Sequence, residues 1–394
     1  MRGSIVAIVV IVVVIGVAGY IAVKDPTLLS FKSSPALPET SPGLRIPAAS
    51  ELNSTTGTSW YEVMNLTVGV SNLSSLDNAL SNISDTEQYV QSVQSTAPYF
   101  HISYAQGALF LSANKGLMAL AYASFTSASY ANLTNSSLFG NITKTKVSNL
   151  SYGEVSGAFY VFGYQFANGN YSSGIYALYS NYIIIALYHG ENNITKSTFT
   201  SIVSTEVDIL TSYQFSFRAA ERLIQTSNIT DQLGTSYKPD FNFSLFVISH
   251  PQLLEEYLDN YTSGSYNSTY SQILNMSRNT SSNVGIAATA FSSSKSVYVL
   301  GYLKGTNSMF AAKEYLGIQE YINSSLKDFG KSISNISFNG GQFFIYNFSY
   351  QFGSNYTLSV GHIGDYLVFE IDLGSSTVGD PLTALMEEEM ILLQ

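Results

Sequence analysis

Cysteine is absent from the 394 residues of this chain. Its absence excludes a disulfide framework, a thiolate metal site and a catalytic thiol. The fold must therefore be held by burial, and a chain of this length with 45% hydrophobic residues can build a large core.

Charged residues are the second shortage. They make up 11% of the chain, 17 Lys and Arg against 27 Asp and Glu, whereas soluble domains carry about 25%. The net charge of -10 disfavours nucleic acid as a partner, because nucleic acid binds basic faces. A surface of hydroxyls, amides and tyrosines suits an acidic exterior, since its charge changes little when carboxylates become protonated below about pH 4.

Sequence motifs for known chemistry are missing as well. The chain contains no H-E-x-x-H, P-loop or G-x-S-x-G pattern and no closely spaced set of metal ligands. We therefore expect no enzyme activity, no cofactor and no metal site. The four histidines are scattered and are interpreted as packing or surface residues: His101, His189, His250 and His362.

Two acidic clusters leave one enzymatic alternative open. They are Glu255, Glu256 and Asp259, and Glu387, Glu388 and Glu389. Two carboxylates facing each other across a cleft would suit an acid-stable secreted hydrolase. Runs of this kind are more often solvated helix faces, which is the interpretation we favour.

Asparagine is abundant and occurs in one particular context. Of 28 asparagines, 20 begin an N-x-S/T sequon without proline at x, whereas the composition alone would give about six. The excess indicates that the chain meets an oligosaccharyltransferase, so N-linked glycans and an extracytoplasmic location are expected. The predicted glycosylation sites are Asn53, Asn65, Asn72, Asn82, Asn132, Asn135, Asn141, Asn149, Asn170, Asn193, Asn228, Asn242, Asn260, Asn267, Asn275, Asn279, Asn323, Asn335, Asn347 and Asn355.

The N-terminus contains one long apolar run, Ile5–Val23, without a charged residue. As a helix it would be about 28 Å long, enough to cross a membrane. Arg2 precedes the run, and Lys24 after it is offset by Asp25, which favours a cytoplasmic N-terminus and an extracellular body. No small-x-small site follows, so we expect an uncleaved single-pass anchor in the plasma membrane.

A second interpretation of the N-terminus is a pilin-like filament subunit. Arg2 and Gly3 before the apolar run resemble an archaeal class III signal, although Ser4 fits that pattern poorly. Residues 24–50 contain five of the nine prolines and favour an extended spacer, which argues against a filament.

The short anchor, dense sequons, absence of cysteine, few charges and 29 tyrosines together resemble membrane-anchored cell-surface glycoproteins of thermoacidophilic archaea. This resemblance lies in the composition of the whole chain. It implies an acidic extracellular environment.

An internal repeat runs through the rest of the chain. Residues 113–122 match 293–302 at an offset of 180, and residues 160–166 match 346–352 at an offset of 186. Asn149-Leu150-Ser151-Tyr152 also matches Asn335-Ile336-Ser337-Phe338. The matches keep their order, which indicates a tandem duplication. The predicted units are an anchor (1–23), a linker (24–50), repeat 1 (51–235) and repeat 2 (236–394).

Each repeat has the pattern of mixed secondary structure. A strand (61–70 and 241–249), a helix (73–94 and 251–274) and a hairpin (99–125 and 284–303) are followed by a second helix, a three-strand meander and a closing helix (197–210 and 381–393). The predicted fold class is α+β, with an N-terminal transmembrane helix and two tandem duplicated domains, each an antiparallel sheet with packed helices.

Alternating residues on the strands predict which face is buried. Aromatics at every second position of 160–166 and 346–352 could stack on sugars, but core packing is the favoured interpretation. In Phe241-Asn242-Phe243 the same alternation would place the sequon asparagine on an open face.

Taken together, these patterns predict a structural, scaffold or binding role at the cell surface, with other cell-envelope proteins as possible partners. A carbohydrate or solute receptor using a cleft between the repeats is the first alternative, because ligands often bind between two similar lobes. The hydrolase and the filament subunit are the others.

Overall fold

The computed structural model describes the folded body in segments. These are residues 46–70, 102–132, 148–152, 159–165, 171–192, 194–212, 223–224, 226–233, 237–247, 253, 284–294, 296–305, 307–326, 330–349, 355–374 and 380–394. The expected anchor, most of the linker and the two helices expected at 73–94 and 251–274, apart from residue 253, lie outside these segments. Within them, no helix is both long and apolar enough to span a membrane.

The first half of the described chain contains seven strands between two helices. In order they are α1 (Ala49–Thr56), β1 (Trp60–Val70), β2 (Ile102–Ser112), β3 (Leu117–Phe125), β4 (Ser148–Tyr152), β5 (Phe159–Gln165), β6 (Tyr171–Tyr179), β7 (Tyr182–Gly190) and α2 (Lys196–Ser212).

The second half repeats this order and has a long helix after its third strand, where the described part of the first half has a short helical segment at residues 128–132. Its elements are α3 (Thr226–Leu233), β8 (Lys238–Val247), β9 (Val284–Ser292), β10 (Val297–Lys304), α4 (Ser308–Tyr321) with a π-helical turn (Ile322–Leu326), β11 (Gly330–Phe338), β12 (Gly341–Ser349), β13 (Asn355–Ile363), β14 (Tyr366–Leu373) and α5 (Asp380–Leu392).

All 14 strands belong to one antiparallel sheet, in the order β11-β12-β13-β14-β10-β9-β8-β1-β2-β3-β7-β6-β5-β4. The expected α+β class, antiparallel strands with packed helices, is confirmed. From β1 or β8 outward, the strands of each half follow the order first, second, third, seventh, sixth, fifth and fourth. The repeat seen in the sequence is therefore matched in the topology of the sheet. Two details differ from expectation: the meander has four strands, and the sheets of the two halves are joined through β1 and β8.

The pairing of β1 with β8 has approximate two-fold symmetry. Thr67 pairs with Ser244, and each is the third residue of its sequon, Asn65-Leu66-Thr67 or Asn242-Phe243-Ser244. Both central strands also carry a register irregularity at the same place, with Val63 as the extra residue in β1 and Asp240 in β8. The two halves are therefore equivalent down to the register of the strands.

Helices cover the same face of the sheet in both halves. Gln106 pairs with both Thr67 and Tyr122, so these three side chains lie on the same face of the sheet. Ala287 pairs in the same way with Ser244 and Tyr302 in the second half, and the pairing of Thr67 with Ser244 puts both sets on one face. Tyr122 is buried in the core of the first half, and Tyr302 is buried in that of the second. We call this the helix face. At about 25 cal/mol per Å² of apolar area, burial of these two cores is the main source of stability in a chain without disulfides.

The helix-face cores draw on the ends of each repeat. In the first half, Leu52 of α1 and Phe199 of α2 pack into one cluster. In the second, Ile229 of α3 packs with Leu382 and Leu385 of α5. Thus α3, which a boundary after residue 235 would assign to repeat 1, packs with the second half.

The opposite face of the second half is covered by α4. Tyr315 and Ile322 pack there against Phe344 and Tyr346 of β12. Burial of Tyr346 agrees with the core interpretation of the aromatic alternation. The other positions of the two aromatic series have no described side chain.

The hairpin between β11 and β12 has a connection of two residues. Asn339 and Gly340 both have positive φ, 45° and 84°. Positive φ at both central residues is the type I′ geometry whose twist matches that of paired strands, and Asn-Gly is the residue pair that adopts it most readily.

Close packing of the central strands requires a glycine at Gly301 of the second half but not at Gly107 of the first. In β10, a β-carbon on Gly301 would lie 2.5 Å from the carbonyl oxygen of Ala287 and 2.7 Å from Cζ of Phe369. In β2, a β-carbon on Gly107 would have only ordinary contacts, 3.5 Å from Cβ of Ala121.

We expect Gly301→Ala to lower the free energy of unfolding by about 1–3 kcal/mol, because an added methyl group in a packed core forces backbone or ring shifts. Gly107→Ala is the matched control and should be neutral or slightly stabilising, by up to about 1 kcal/mol. Urea unfolding of both variants measures the difference. Equal stabilities would contradict this account of the packing.

Candidate functional site: a buried acidic cluster

Five carboxylic acids are buried in the described part of the second half. Glu314 of α4 is 6% exposed, and the exposed fractions of the other four are 1% for Glu370, 3% for Asp372, 0% for Glu389 and 0% for Asp240. Carboxylates are rarely buried, because removing their charge from water is costly unless they are paired or protonated. We call Glu370, Asp372, Glu389 and the neighbouring Tyr298 the acidic cluster.

Strand β14 supplies two members of the cluster. Glu370 and Asp372 are alternate residues and therefore lie on one face, the helix face. Tyr298 of β10 donates its hydroxyl hydrogen to Oε1 of Glu370, at 3.0 Å. On the other side, strand pairing places Ser359 opposite Glu370 and Thr357 opposite Asp372.

Helix α5 closes the cluster with Glu389. The backbone N–H of Ile224 donates to Oε2 of this glutamate at 3.0 Å, which ties α5 to the segment before α3. Sequence analysis favoured a solvated helix face for Glu387, Glu388 and Glu389, and for Glu389 that interpretation is wrong. Glu387 and Glu388 are half-buried, and Oε1 of Glu388 accepts a hydrogen bond from Nδ2 of Asn228.

Helix α2 carries an equivalent buried glutamate in the first half. The buried positions of α2 and α5 align at a constant offset of 183, and this alignment pairs Glu206 with Glu389. Glu206 is 3% exposed. The position equivalent to Ile224 is Pro47, which has no N–H to donate.

The rest of the cluster is peculiar to the second half. The registers of β3 with β7 and of β10 with β14 make Met118, Ala186 and Tyr188 the counterparts of Tyr298, Glu370 and Asp372. Val63 is the counterpart of Asp240. The same backbone thus holds apolar or neutral side chains in one half and acids in the other.

Burial disfavours the charged form of two acids of the second half, Glu370 and Asp240. Burial raises the pKa of Glu370 well above its ordinary range, Tyr298 and Ser359 partly offset this, and the neighbouring acids Glu389 and Asp372 raise it further. Burial also raises the pKa of Asp240, from 3.8 to about 7, against a smaller opposing effect of the Ser292 hydroxyl. A cluster of this kind is uncharged, and therefore least costly, in acid.

The histidines do not join the acids. His189 is partly exposed on β7, and His362 lies against Tyr315 with ring centroids 4.9 Å apart. Burial lowers the pKa of both. His101, His250 and the cluster Glu255, Glu256 and Asp259 lie outside the described residues. In the described segments, no group of three acids or histidines has the arrangement of a metal site.

No family model matches this chain, and no curated protein matches it. Among solved structures, it is similar to the extracellular domain of PknH from Mycobacterium tuberculosis, with 13% identity, 45% of this chain and 99% of that chain covered, and a TM-score of 0.31. A second is the acyl-CoA thioesterase II TesB2 from Mycobacterium marinum, with 9% identity, 66% and 93% covered, and a TM-score of 0.09. Neither similarity is close enough to identify a fold or a function.

The predicted glycosylation sites occupy different environments. Three side chains are exposed, those of Asn132, Asn323 and Asn335. Four are half-buried (Asn53, Asn228, Asn242 and Asn347), and Asn149 and Asn355 lie on strands without a described side chain. The remaining sites outside the described residues are Asn72, Asn82, Asn135, Asn141, Asn170, Asn193, Asn260, Asn267, Asn275 and Asn279.

Asn65 is the exception among the described sites. It is 3% exposed, and its Nδ2, the atom to which a glycan would be attached, donates to Oε1 of Glu62 at 2.8 Å. Its counterpart Asn242, expected on an open face, is half-buried, and its Oδ1 accepts a hydrogen bond from Thr289 at 2.6 Å.

The acidic cluster was missed because acids on a strand or helix indicate a solvated face by default. Two signals could have revealed it. Glu389 falls at the helical spacing of the apolar residues Leu382, Leu385 and Met386. Glu370 and Asp372 occur in a strand whose other residues are almost all hydrophobic.

We expect stability to fall as pH rises, because a buried acid with a raised pKa keeps its proton when folded and releases it on unfolding. For Asp240 the loss begins near 3.8 and is complete above about 7, and it amounts to about 4 kcal/mol. Asp240→Val, which installs the residue of the first half, should remove this part of the pH dependence and stabilise the chain at pH 8, as measured by urea unfolding between about pH 3 and 8.

Glu320→Gln is the control for this prediction. Glu320 is an exposed acid on α4, so its removal should leave the pH dependence as in the wild type. An Asp240→Val variant that keeps the wild-type pH dependence would contradict the assignment.

Proposed function

We propose that this chain is an N-glycosylated protein of an acidic cell surface, anchored by its N-terminal apolar segment, and that its folded body acts as a scaffold or spacer. The observation that carries the scaffold role is the pairing of β1 with β8, which joins the two halves into one sheet. With 13 strand spacings of about 4.8 Å, that sheet would extend for about 60 Å.

The junction between the halves offers the receptor alternative little support. Thr67, Gln106 and Ser244 lie at its centre, and each is at most 3% exposed. Nε2 of Gln106 donates to Oγ1 of Thr67 at 3.3 Å, and the Tyr122 hydroxyl donates to Oε1 of Gln106 at 3.0 Å. Within the described residues, the place where the halves meet is a buried polar layer under the helices, in which the hydroxyl of Ser244 has no hydrogen-bond partner.

The acidic setting is supported by the cluster. Neutral buried acids favour the folded state at low pH, and the shortage of surface charge limits self-repulsion when the remaining carboxylates are protonated. In the neutral cytoplasm the buried acids would lower stability, and the shortage of surface charge would bring no such benefit. The hydrolase alternative requires acids at a cleft, whereas Glu370 of β14 and Glu389 of α5 are both buried.

Glycopeptide mass spectrometry of the protein isolated from native membranes tests this proposal. We expect glycans on the exposed Asn132, Asn323 and Asn335, and an N-terminal peptide that still begins ahead of the apolar run. Asn65 should be unmodified, because its Nδ2 is buried and donates to Glu62. A chain without any glycan would overturn the surface assignment, and a glycan on Asn65 would contradict its burial.

The scaffold role can be separated from the receptor role by thermal unfolding at acidic pH with and without a panel of oligosaccharides and small solutes. A receptor would be stabilised by about 2.7 kcal/mol at a ligand concentration 100 times the dissociation constant. We expect no shift. A saturable shift with one solute would establish the receptor instead.

A further inference from the structure

The sheet has two edge strands, and both carry a predicted glycosylation site. Strands β4 and β11 are the outermost strands, each paired on one side only within the described residues. An edge strand presents unpaired N–H and C=O groups and can pair with another molecule. In this chain each edge contains the same sequence pattern, Asn149-Leu150-Ser151-Tyr152 in β4 and Asn335-Ile336-Ser337-Phe338 in β11.

Exposure separates the edge site from sites on inner strands. Asn335 is exposed, whereas Asn347 on β12 and Asn242 on β8 are half-buried and Asn65 on β1 is buried. Nε2 of Gln319 on α4 donates to Oδ1 of Asn335 at 2.6 Å. A glycan is attached through Nδ2, so this contact can persist in the glycosylated chain and hold the first sugar beside the edge.

The register places both edge asparagines on the same side of the sheet. Asn335 is opposite Phe344 on the face covered by α4, and Asn149 is opposite Phe162, the corresponding side of the first half. The two-fold relation of the halves therefore puts one site at each end of the sheet, on one face.

The composition of the chain explains why glycans would be needed there. Soluble proteins usually protect sheet edges with charged side chains, lysine above all, or with irregular register. Here only Lys331 lies on β11, next to a register irregularity between Gly330 and Ile333, and β4 has no charged residue. A glycan does not titrate, so it also protects an edge in acid.

We propose that glycans on Asn149 and Asn335 cover the two edge strands and prevent copies of this chain from pairing edge to edge. This inference depends on the proposed glycosylation. Even one disaccharide, about 10 Å long, exceeds the spacing of about 4.8 Å at which a second strand would have to approach. Without it, β11 is a nine-residue edge strand with a single charged residue, Lys331.

The test compares two double variants of the full chain, produced in the native host. Asn149→Gln with Asn335→Gln removes the edge glycans, and Asn132→Gln with Asn323→Gln removes two exposed sites that lie on helical turns. Light scattering after size-exclusion chromatography at acidic pH gives the molar mass across a range of concentrations. We expect at least a doubling of mass with concentration for the edge variant only.

A second pair of substitutions guards against a folding defect. Ser151→Ala with Ser337→Ala abolishes both sequons and keeps Asn335 with its contact to Gln319, and Ser337 is exposed. These variants should associate like the asparagine variants, and hydrogen exchange in the associated form should show new protection in β4 and β11.

The outcomes distinguish this inference from the proposed function. The inference alone would be overturned if glycans were found on other sites but not on Asn149 and Asn335. It would also be overturned if both sites were occupied in the wild type and the edge variants still had the wild-type molar mass. A wild-type chain without any glycan would overturn both.

Discussion

The antiparallel pairing of β1 with β8 is the interaction on which the rest of the molecule depends. It joins two seven-stranded units through seven residue pairs centred on Thr67 and Ser244. It also places the closing helices α2 and α5 on one face, where each packs over its own half of a shared sheet. Among the described strands, a sheet joined in this way has two edges instead of four, and both of these edge strands carry a sequon.

Equivalence of the halves makes their differences informative. Where the first half has Val63, Ala186 and Tyr188, the second has Asp240, Glu370 and Asp372. Because burial raises the pKa of Asp240 and Glu370, these two acids favour folding where they are protonated and oppose it where they are charged. In the acidic setting that we propose, the shortage of surface charge and the buried acids would act together, because both reduce the electrostatic cost of folding when carboxylates are protonated.

Local patterns in the sequence were sufficient for strands, hairpins and closing helices. The turn match of residues 113–122 with 293–302 falls on equivalent hairpins, and α2 and α5 begin and end within a few residues of expectation. The pairing of β1 with β8 could not be predicted, because the two strands are 177 residues apart and alternate like any half-buried strand. The assignment of α3 to the first repeat was wrong for the same reason, because this eight-residue helix belongs to the second half only through its packing against α5. Glu389 was misjudged because a charged residue inside an apolar helical stripe has an ambiguous meaning until its surroundings are known.

Hydrogen exchange of the backbone amides at acidic pH is the most direct test of the joined sheet. If the pairing of β1 with β8 holds the halves together, amides of both strands exchange only through global unfolding, as slowly as those of β3 and β10 and far more slowly than those of the edge strands β4 and β11. Exchange in β1 and β8 at the rate of the edge strands, with the two halves unfolding in separate transitions, would show that the halves are independent domains and would contradict this account.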